Sequence, residues 1–312
     1  MARTRHRPAR RSRSRHLTVP LVMLLVLVFV VSGTYFALSR YASVSRSGQC
    51  TAAGLGTSHE YTTERAANAA LIGAVAVDRG LPPRAASIAL ATAYQESKLQ
   101  NIEHGDRDSQ GLFQQRPSQG WGTVSQIRDP VHATNAFYDR LVKLDYESMS
   151  VNDAAQKVQR SGFPEAYGDH ETEGRLFASA LTGQSGGNLV CDIGAPGSAV
   201  SPQALQDSLE AQFPRRTAAG SISSSLASAS SAAGRVPDDA GATALVIDPH
   251  GDRTLGWALA NWAVARAGDD GVMQVSYAGH SWERASHDQQ AGTWPAADGG
   301  DPDRVVVLVS GG

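Results

Sequence analysis

An uncharged run near the amino terminus, LTVPLVMLLVLVFVVSGTYFAL, occupies residues 17–38 and restricts the structures open to this chain. As an α-helix, its 22 residues would extend over roughly 33 Å, against about 30 Å for the hydrocarbon core of a bilayer. Seven arginines and no acidic residue precede it in 1–16, and basic residues beside a spanning helix stay in the cytoplasm. The sequence therefore predicts a single-pass protein of the cell membrane, with its carboxyl-terminal domains extracytoplasmic.

Two other interpretations of this segment stay open. A cleaved signal peptide ends in small residues, which Ala37-Leu38-Ser39 loosely resembles, although its apolar part usually has only about 7 to 15 residues. The arginine tail could instead bind nucleic acid or anionic lipid. The chain has 28 basic and 30 acidic residues; without the seven tail arginines, 21 basic residues face 30 acidic ones, a net charge of −9. This balance argues against nucleic acid as a partner of the exported part.

The only two cysteines, Cys50 and Cys191, enclose the most regular part of the chain. In an oxidising compartment such a pair predicts a disulfide, although two unrelated thiols remain the alternative. A bridge that closes about 140 residues would remove roughly 5 kcal/mol of unfolded-state entropy.

Hydrophobic periodicity divides the rest of the chain. A stalk rich in Ser, Gly and Ala is predicted at 39–60. Residues 61–192 are predicted to be mainly helical, because apolar residues recur at helical spacing and no alternating strand pattern appears between 60 and 190. Residues 193–240 are typical of a flexible linker with one short helix. The segments ATALVID, VMQVSYAG and RVVVLVS, with the helix LGWALANWAVARA, predict a small α/β domain of unassigned role at 241–312.

The most specific chemistry is expected at the end of the second predicted helix, PRAASIALATAYQESK. Glu96 lies there, in Tyr94-Gln95-Glu96-Ser97, and Gly111-Leu112-Phe113-Gln114-Gln115 follows fifteen residues later. A carboxyl group that is partly removed from water has a raised pKa, so it keeps a proton that it can donate. Glycosidic cleavage requires such an acid at the leaving oxygen.

The arrangement E-S followed by D-S-x-G-L-F-Q resembles the soluble lytic transglycosylase and goose-type lysozyme family. The resemblance covers about 60–190 and implies a lysozyme-like α fold; its most specific stretch is Ala91 to Trp121. It implies that Glu96 is the general acid and then the base, supported by Ser97. It further implies that the residues corresponding to the family's sugar groove bind substrate: Gly111, Phe113, Gln114 and Tyr167. Trp121 is a further candidate for substrate binding, because an aromatic ring can stack on a sugar face.

The resemblance assigns particular tasks within this set. Gly111 would let the backbone approach the glycan, and Gln114 would hydrogen-bond an N-acetyl group. Tyr167 corresponds to a groove tyrosine, although this sequence has Tyr-Gly where the family usually has Tyr-Asn, and Phe113 replaces the commoner Met. Trp121 could stack on a sugar or fill the core.

The reaction depends on whether a second carboxylate assists, and Asp106 and Asp108 are the nearest candidates. Aspartates in Gly/Ser loops more often cap turns. If Glu96 acts alone, the resemblance implies a lytic reaction that leaves a 1,6-anhydro end. If an aspartate positions water, hydrolysis follows. The scattered histidines predict no metal site, and no phosphate-binding or dinucleotide motif occurs, so no cofactor is expected.

The sequence thus predicts a mainly α lysozyme-like domain, preceded by one transmembrane helix and followed by a flexible linker and a small α/β domain. Its expected function is that of a membrane-anchored glycosidase acting on peptidoglycan glycan strands. One alternative is a non-catalytic peptidoglycan-binding or scaffold protein of a cell-wall remodelling or secretion assembly. Another is that 241–312 carry the main role.

Overall fold

The computed structural model of the chain describes residues 28, 32–33, 48–54, 56–162, 165–196, 200–228, 243–284, 294–297 and 301–310. The described residues from Gly48 onward form one compact unit. Across the described ranges, no helix has both the length and the apolar character needed to cross a bilayer. This finding overturns the predicted single-pass localisation. The arginine tail and nearly all of the predicted span at 17–38 lie outside the described residues.

In the described part of the chain, six α-helices lie between residues 63 and 181, and the second coincides with the predicted helix PRAASIALATAYQESK. Those helices are α1 (Thr63–Asp78), α2 (Pro83–Ser97), α3 (Val124–Arg128), α4 (Pro130–Leu141), α5 (Val151–Gln159) and α6 (Glu171–Leu181). Four more follow among the described residues, namely α7 (Pro202–Gln212), α8 (Pro214–Ala218), α9 (Arg253–Ala265) and α10 (Ala267–Asp270).

The ends of these helices follow from local chemistry. Pro83 begins α2, where its missing N–H is not needed and its fixed φ already suits a helix. Asp129 caps α4 by accepting bonds from the backbone of Val131 and His132. Lys98 ends α2 in the left-handed conformation, with φ of 57°. Glu96 therefore lies in the last turn of α2, two residues before the C-cap residue Lys98.

A three-stranded antiparallel sheet joins the two ends of the predicted helical domain. Its strands are β1 (Gln49–Gly54), β2 (Thr57–Thr62) and β3 (Leu189–Asp192), in the order β2-β1-β3. Cys50 lies directly opposite Cys191 in the β1–β3 pair, and the two are joined by a disulfide. The predicted disulfide is confirmed. Part of the predicted stalk is therefore a hairpin.

A second antiparallel sheet lies in the carboxyl-terminal part, with the strand order β4-β5-β8-β6-β7. Its strands are β4 (Ser223–Ser228), β5 (Thr243–Asp248), β6 (Val272–Tyr277), β7 (His280–Glu283) and β8 (Val305–Val309). The predicted strands at β5, β6 and β8 and the predicted helix at α9 are confirmed. β4 and the helix α7, which packs on β5, come from the segment predicted to be a linker.

Helix α1 explains why the two parts form one core. A helix that is apolar on every side is stable only if neighbours cover every side. α2, α4 and α6 contact α1, and so do α9 and α10 from the carboxyl-terminal part. Gly73 allows α1 to pack closely on α6, because a Cβ at position 73 would lie 2.7 Å from the Leu181 side chain.

The predicted fold class is therefore wrong as stated. Within the described ranges, helices pack with two antiparallel sheets of three and five strands, and no spanning helix or separate linker-joined domain is found. The reason is that α9 covers the face of α1 that the amino-terminal helices leave open. The carboxyl-terminal part contributes to the core, so its role is better tested by point substitutions than by deletion.

Candidate active site

Glu96 is partly buried at the end of α2, and its closest partner is Tyr167. The Tyr167 hydroxyl donates a hydrogen bond of 2.6 Å to Glu96 Oε1, joining residues 71 positions apart. Tyr167 is itself fully buried, immediately before a 3₁₀ turn at Gly168–His170. The structure thus brings together the two residues that the motif resemblance assigns to acid catalysis and to the groove.

The environment raises the pKa of the Glu96 carboxyl group. Burial is the main cause, because it disfavours the charged form, and hydrogen bonds from Tyr167 and Gln159 partly offset it. Burial and the neighbouring Glu96 charge raise the pKa of Tyr167. Tyr167 therefore remains a hydrogen-bond donor throughout the neutral range, whereas Glu96 holds its proton at higher pH than an exposed glutamate.

Two side chains connect the helix end to the Gly111–Gln114 turn. Ser97 Oγ lies 2.7 Å from the Leu112 carbonyl oxygen and 3.0 Å from that of Ala93, and its proton can bond to either. Gln159, at the end of α5, donates a bond of 2.7 Å to the Phe113 carbonyl oxygen. Ser97 thus supports the position of the turn rather than the Glu96 carboxyl group directly.

Gly111 and Gln114 both lie in left-handed backbone conformations, with φ of 77° and 46°. A Cβ at position 111 would lie 2.6 Å from the Ile127 carbonyl oxygen in α3, so a larger residue would collide with backbone as well as strain φ. The Gln114 amide is partly exposed and donates to the Gly111 carbonyl oxygen at 3.2 Å. The glycine is required by packing against α3, independently of any contact with substrate.

Like Tyr167, the other two aromatic residues predicted to bind glycan are covered by protein. Phe113 is fully buried and stacks on Phe137, with ring centroids 4.7 Å apart. Trp121 is 5% exposed, and the Arg140 guanidinium lies over its ring, 3.3 Å from the centroid. Of the two interpretations of Trp121, the structure agrees with a core role.

Asp106 and Asp108 do not hydrogen-bond Glu96 among the contacts of the described residues. Asp108 instead pairs with Arg116 at 2.7 Å and accepts the Ser118 backbone N–H at 2.9 Å. These bonds, that to Arg116 first, hold the pKa of Asp108 well below its usual range. Asp106 is exposed, and Arg107 lies 3.8 Å from it. Asp108 is thus bound within its own loop, and Asp106 is exposed on the surface of that loop.

Gln159 is the partner of Glu96 that the sequence did not reveal. It is one polar residue near the end of a short amphipathic helix, where solvent exposure is the usual interpretation. No group of three or more His, Cys, Asp or Glu side chains able to hold a metal occurs in the described part of the chain.

A cavity of about 690 Å³ lies around the opposite end of α2. Its lining includes Arg84, Ser87, Arg175 and Asn188, and Glu96 is not among the residues that form it. The volume is suited to a small ligand, but it is separate from the Glu96–Tyr167 pair.

Neither the protein-family models nor the curated protein sequences include a match to this chain. Function is therefore inferred from the motif and from the geometry around Glu96.

Proposed function

We propose that this protein is a peptidoglycan glycosidase that cleaves the bond between N-acetylmuramic acid and N-acetylglucosamine. The observation that carries the proposal is the partly buried Glu96, bonded to Tyr167 next to the Gly111–Gln114 turn. Cleavage of a glycosidic bond needs a carboxyl group that is protonated near neutral pH. Burial acts on Glu96 in that direction, and the motif around it is the one that resembles the lytic transglycosylase and goose-type lysozyme family.

The partners of Glu96 favour a lytic reaction over hydrolysis. Hydrolysis with inversion uses a second carboxylate to activate water, and the retaining mechanism uses one as nucleophile. The bonds to Glu96 come instead from the neutral donors Tyr167 and Gln159, while Asp108 is held by Arg116. We therefore assign both proton transfers to Glu96.

The lytic reaction needs no water or cofactor. Glu96 gives its proton to the bridging oxygen as the bond from that oxygen to C1 of N-acetylmuramic acid breaks. The resulting carboxylate then removes the proton of the muramyl O6 hydroxyl, and O6 forms the new bond to C1. Glu96 ends protonated, as it began, and the products are a free N-acetylglucosamine end and a 1,6-anhydro end.

The assignment is tested by digesting purified peptidoglycan with the intact protein and identifying the soluble products by mass spectrometry. We expect anhydro-muramyl ends, which weigh one water less than reducing ends. Reducing ends would contradict the lytic assignment but not glycosidase activity. Intact peptidoglycan, with binding retained in a sedimentation assay, would contradict catalysis and support the alternative of a non-catalytic binding or scaffold protein.

Tyr167→Phe should slow the reaction about ten-fold, because Glu96 loses the bond that orients its carboxyl group. A hydrogen bond to a charged group contributes about 1.5–3 kcal/mol. The Tyr167 bond lowers the pKa of Glu96, so its loss should raise that pKa. The alkaline limb of the pH–kcat profile should then move to higher pH, while the maximum falls.

Tyr277→Phe is the matched control for that substitution. The Tyr277 hydroxyl makes a long contact of 3.5 Å to the Arg253 carbonyl oxygen, and its ring packs on Trp257 in the carboxyl-terminal part. Its pH–kcat profile should match that of the native protein. Equal profiles for Tyr167→Phe and the native protein would show that Tyr167 does not act on Glu96.

A further inference from the structure

A chain of four polar side chains runs from β2 to α2 beside the candidate site. His59 Nε2 lies 3.0 Å from Glu173 Oε2, and Glu173 Oε1 lies 2.7 Å from His170 Nδ1. His170 Nε2 lies 2.8 Å from Gln95 Oε1. We call these four residues the histidine network: His59, Glu173, His170 and Gln95. Glu173 is its buried centre, with 8% of its surface exposed.

The histidine network ends where Tyr167 and Glu96 meet. Gln95 directly precedes Glu96, and the His170 backbone N–H donates to the Tyr167 carbonyl oxygen at 3.2 Å. The turn at 167–170 therefore touches α2 at two consecutive residues, through Tyr167 on Glu96 and through His170 on Gln95. A change in the His170 contacts would be transmitted to Tyr167 over a single turn.

With the Gln95 amide oxygen facing the ring, the contacts of His170 require one proton shared with Glu173. Its ring nitrogens face Gln95 Oε1 and Glu173 Oε1, and both oxygens are acceptors when Glu173 is ionised. Either the ring carries both protons beside a carboxylate, or the ring is neutral and the Glu173 carboxyl group carries the proton. The His170 Nδ1–H bond does not point straight at Glu173 Oε1, and no other donor of the described residues is aligned with that oxygen. Even so, His170 Nδ1 and Glu173 Oε1 are only 2.7 Å apart, so without a proton between them their lone pairs would face each other.

We propose that His170 and Glu173 are positioning residues that hold Tyr167 against Glu96 through one proton shared between their side chains. When that proton is lost at higher pH, one of the two contacts of His170 becomes repulsive. The 167–170 turn is then released from α2, and Tyr167 no longer orients Glu96. This inference rests on the proposed glycosidase function, because Glu96 is the group that Tyr167 orients.

The electrostatic surroundings agree with a transition near neutrality. Burial raises the pKa of Glu173 to about 7, partly offset by Lys98. Burial also lowers the pKa values of His59 and His170, so a positive charge on either imidazole ring is disfavoured. The other titratable or charged groups around it are Glu60 and Tyr61 on β2, Arg65 on α1, Tyr94 and Lys98 on or after α2, and Asp169 in the turn.

Glu173→Gln tests the shared proton directly. An amide at this position can donate to His170 Nδ1 and accept from His59 Nε2, which reproduces the protonated network, and it cannot lose its proton near neutral pH. We expect kcat close to the native value at about pH 6. The ratio of variant to native kcat should rise by up to about ten-fold by about pH 8, because a group with a pKa near 7 is then mostly deprotonated.

His170→Ala removes the contact with α2 at every pH. We expect kcat to fall about ten-fold with KM for soluble glycan fragments little changed, and the transition near neutrality to vanish from the profile. His250→Asn is the matched control, since His250 is exposed near Asp248, in the carboxyl-terminal part. A uniform loss of activity in Glu173→Gln at all pH values, or an unchanged alkaline limb, would overturn the proposal.

A readout independent of activity separates failure of this inference from failure of the proposed function. In the intact protein, the Glu173 carboxyl ¹³C and the His170 ring ¹⁵N resonances should titrate with one common midpoint near pH 7. Separate transitions at the ordinary values of about 4.3 and 6.5 would contradict the shared proton whether or not peptidoglycan is cleaved. A common midpoint in a protein that leaves peptidoglycan intact would refute the glycosidase and retain the network.

Discussion

Glu96→Gln should reduce the cleavage of peptidoglycan about a thousand-fold. The amide keeps the size of the side chain and can still bond the Tyr167 hydroxyl, but it has no proton to give to the leaving oxygen and cannot remove one from O6. General acid–base catalysis contributes about 10²–10⁴-fold to a rate. One residue performs both proton transfers in the proposed mechanism, so its replacement removes this whole contribution. Release of anhydro-muramyl products from purified peptidoglycan measures the effect.

Glu147→Gln provides the control for this substitution. Glu147 is an exposed glutamate in the segment between α4 and α5, so the same chemical change occurs away from the helix end that holds Glu96. Both variants should retain the native thermal transition. If Glu96→Gln and Glu147→Gln both cleave at the native rate, Glu96 is not the general acid and the proposed function fails.

The Cys50→Ser, Cys191→Ser double variant should show the largest change in stability. The disulfide joins positions 141 residues apart, and it ties β1 to β3. Its removal should cost about 3–5 kcal/mol in the free energy of unfolding, since the unfolded chain regains the entropy of an open loop. The expected decrease in Tm is about 10 °C.

Reduction supplies the matched control, because the chain has no other cysteines. Native protein in dithiothreitol should unfold at the temperature of the double serine variant, and the variant itself should be insensitive to dithiothreitol. Two free thiols titrated in the untreated native protein, together with a Tm unchanged by reduction, would contradict a stabilising bond.

The helices around the site were predictable because their signals are local. Pro83 at the start of α2 and the helical spacing of apolar residues in α4 to α6 fix those elements with little help from distant residues. The motif also led to Tyr167, 71 residues from Glu96. What the motif could not supply was the second partner, since nothing in the composition of α5 distinguishes Gln159 from a solvated glutamine.

The histidine network was hidden for the same reason. His59 and Glu173 lie among other polar residues in the sequence, and their ionisation depends on burial that arises only when β2, α2 and α6 pack together. A pKa shift is a property of that assembled environment. No spacing rule along the chain connects a histidine in a hairpin to a carboxyl group in a helix more than a hundred residues later.

The sequence by itself determined the positions of most helices and carboxyl-terminal strands, the cysteine pairing, and Glu96 as the candidate acid. Only the tertiary structure decided that β1 and β2 pair as a hairpin, that the short helix predicted in the linker (α7) packs on β5 and is followed by β4, and that α9 completes the core around α1. Periodicity records which face of an element is apolar, but it does not say which other element covers that face. That choice depends on contacts between distant segments, and here those contacts replace separate domains with one core and set the surroundings of Glu96.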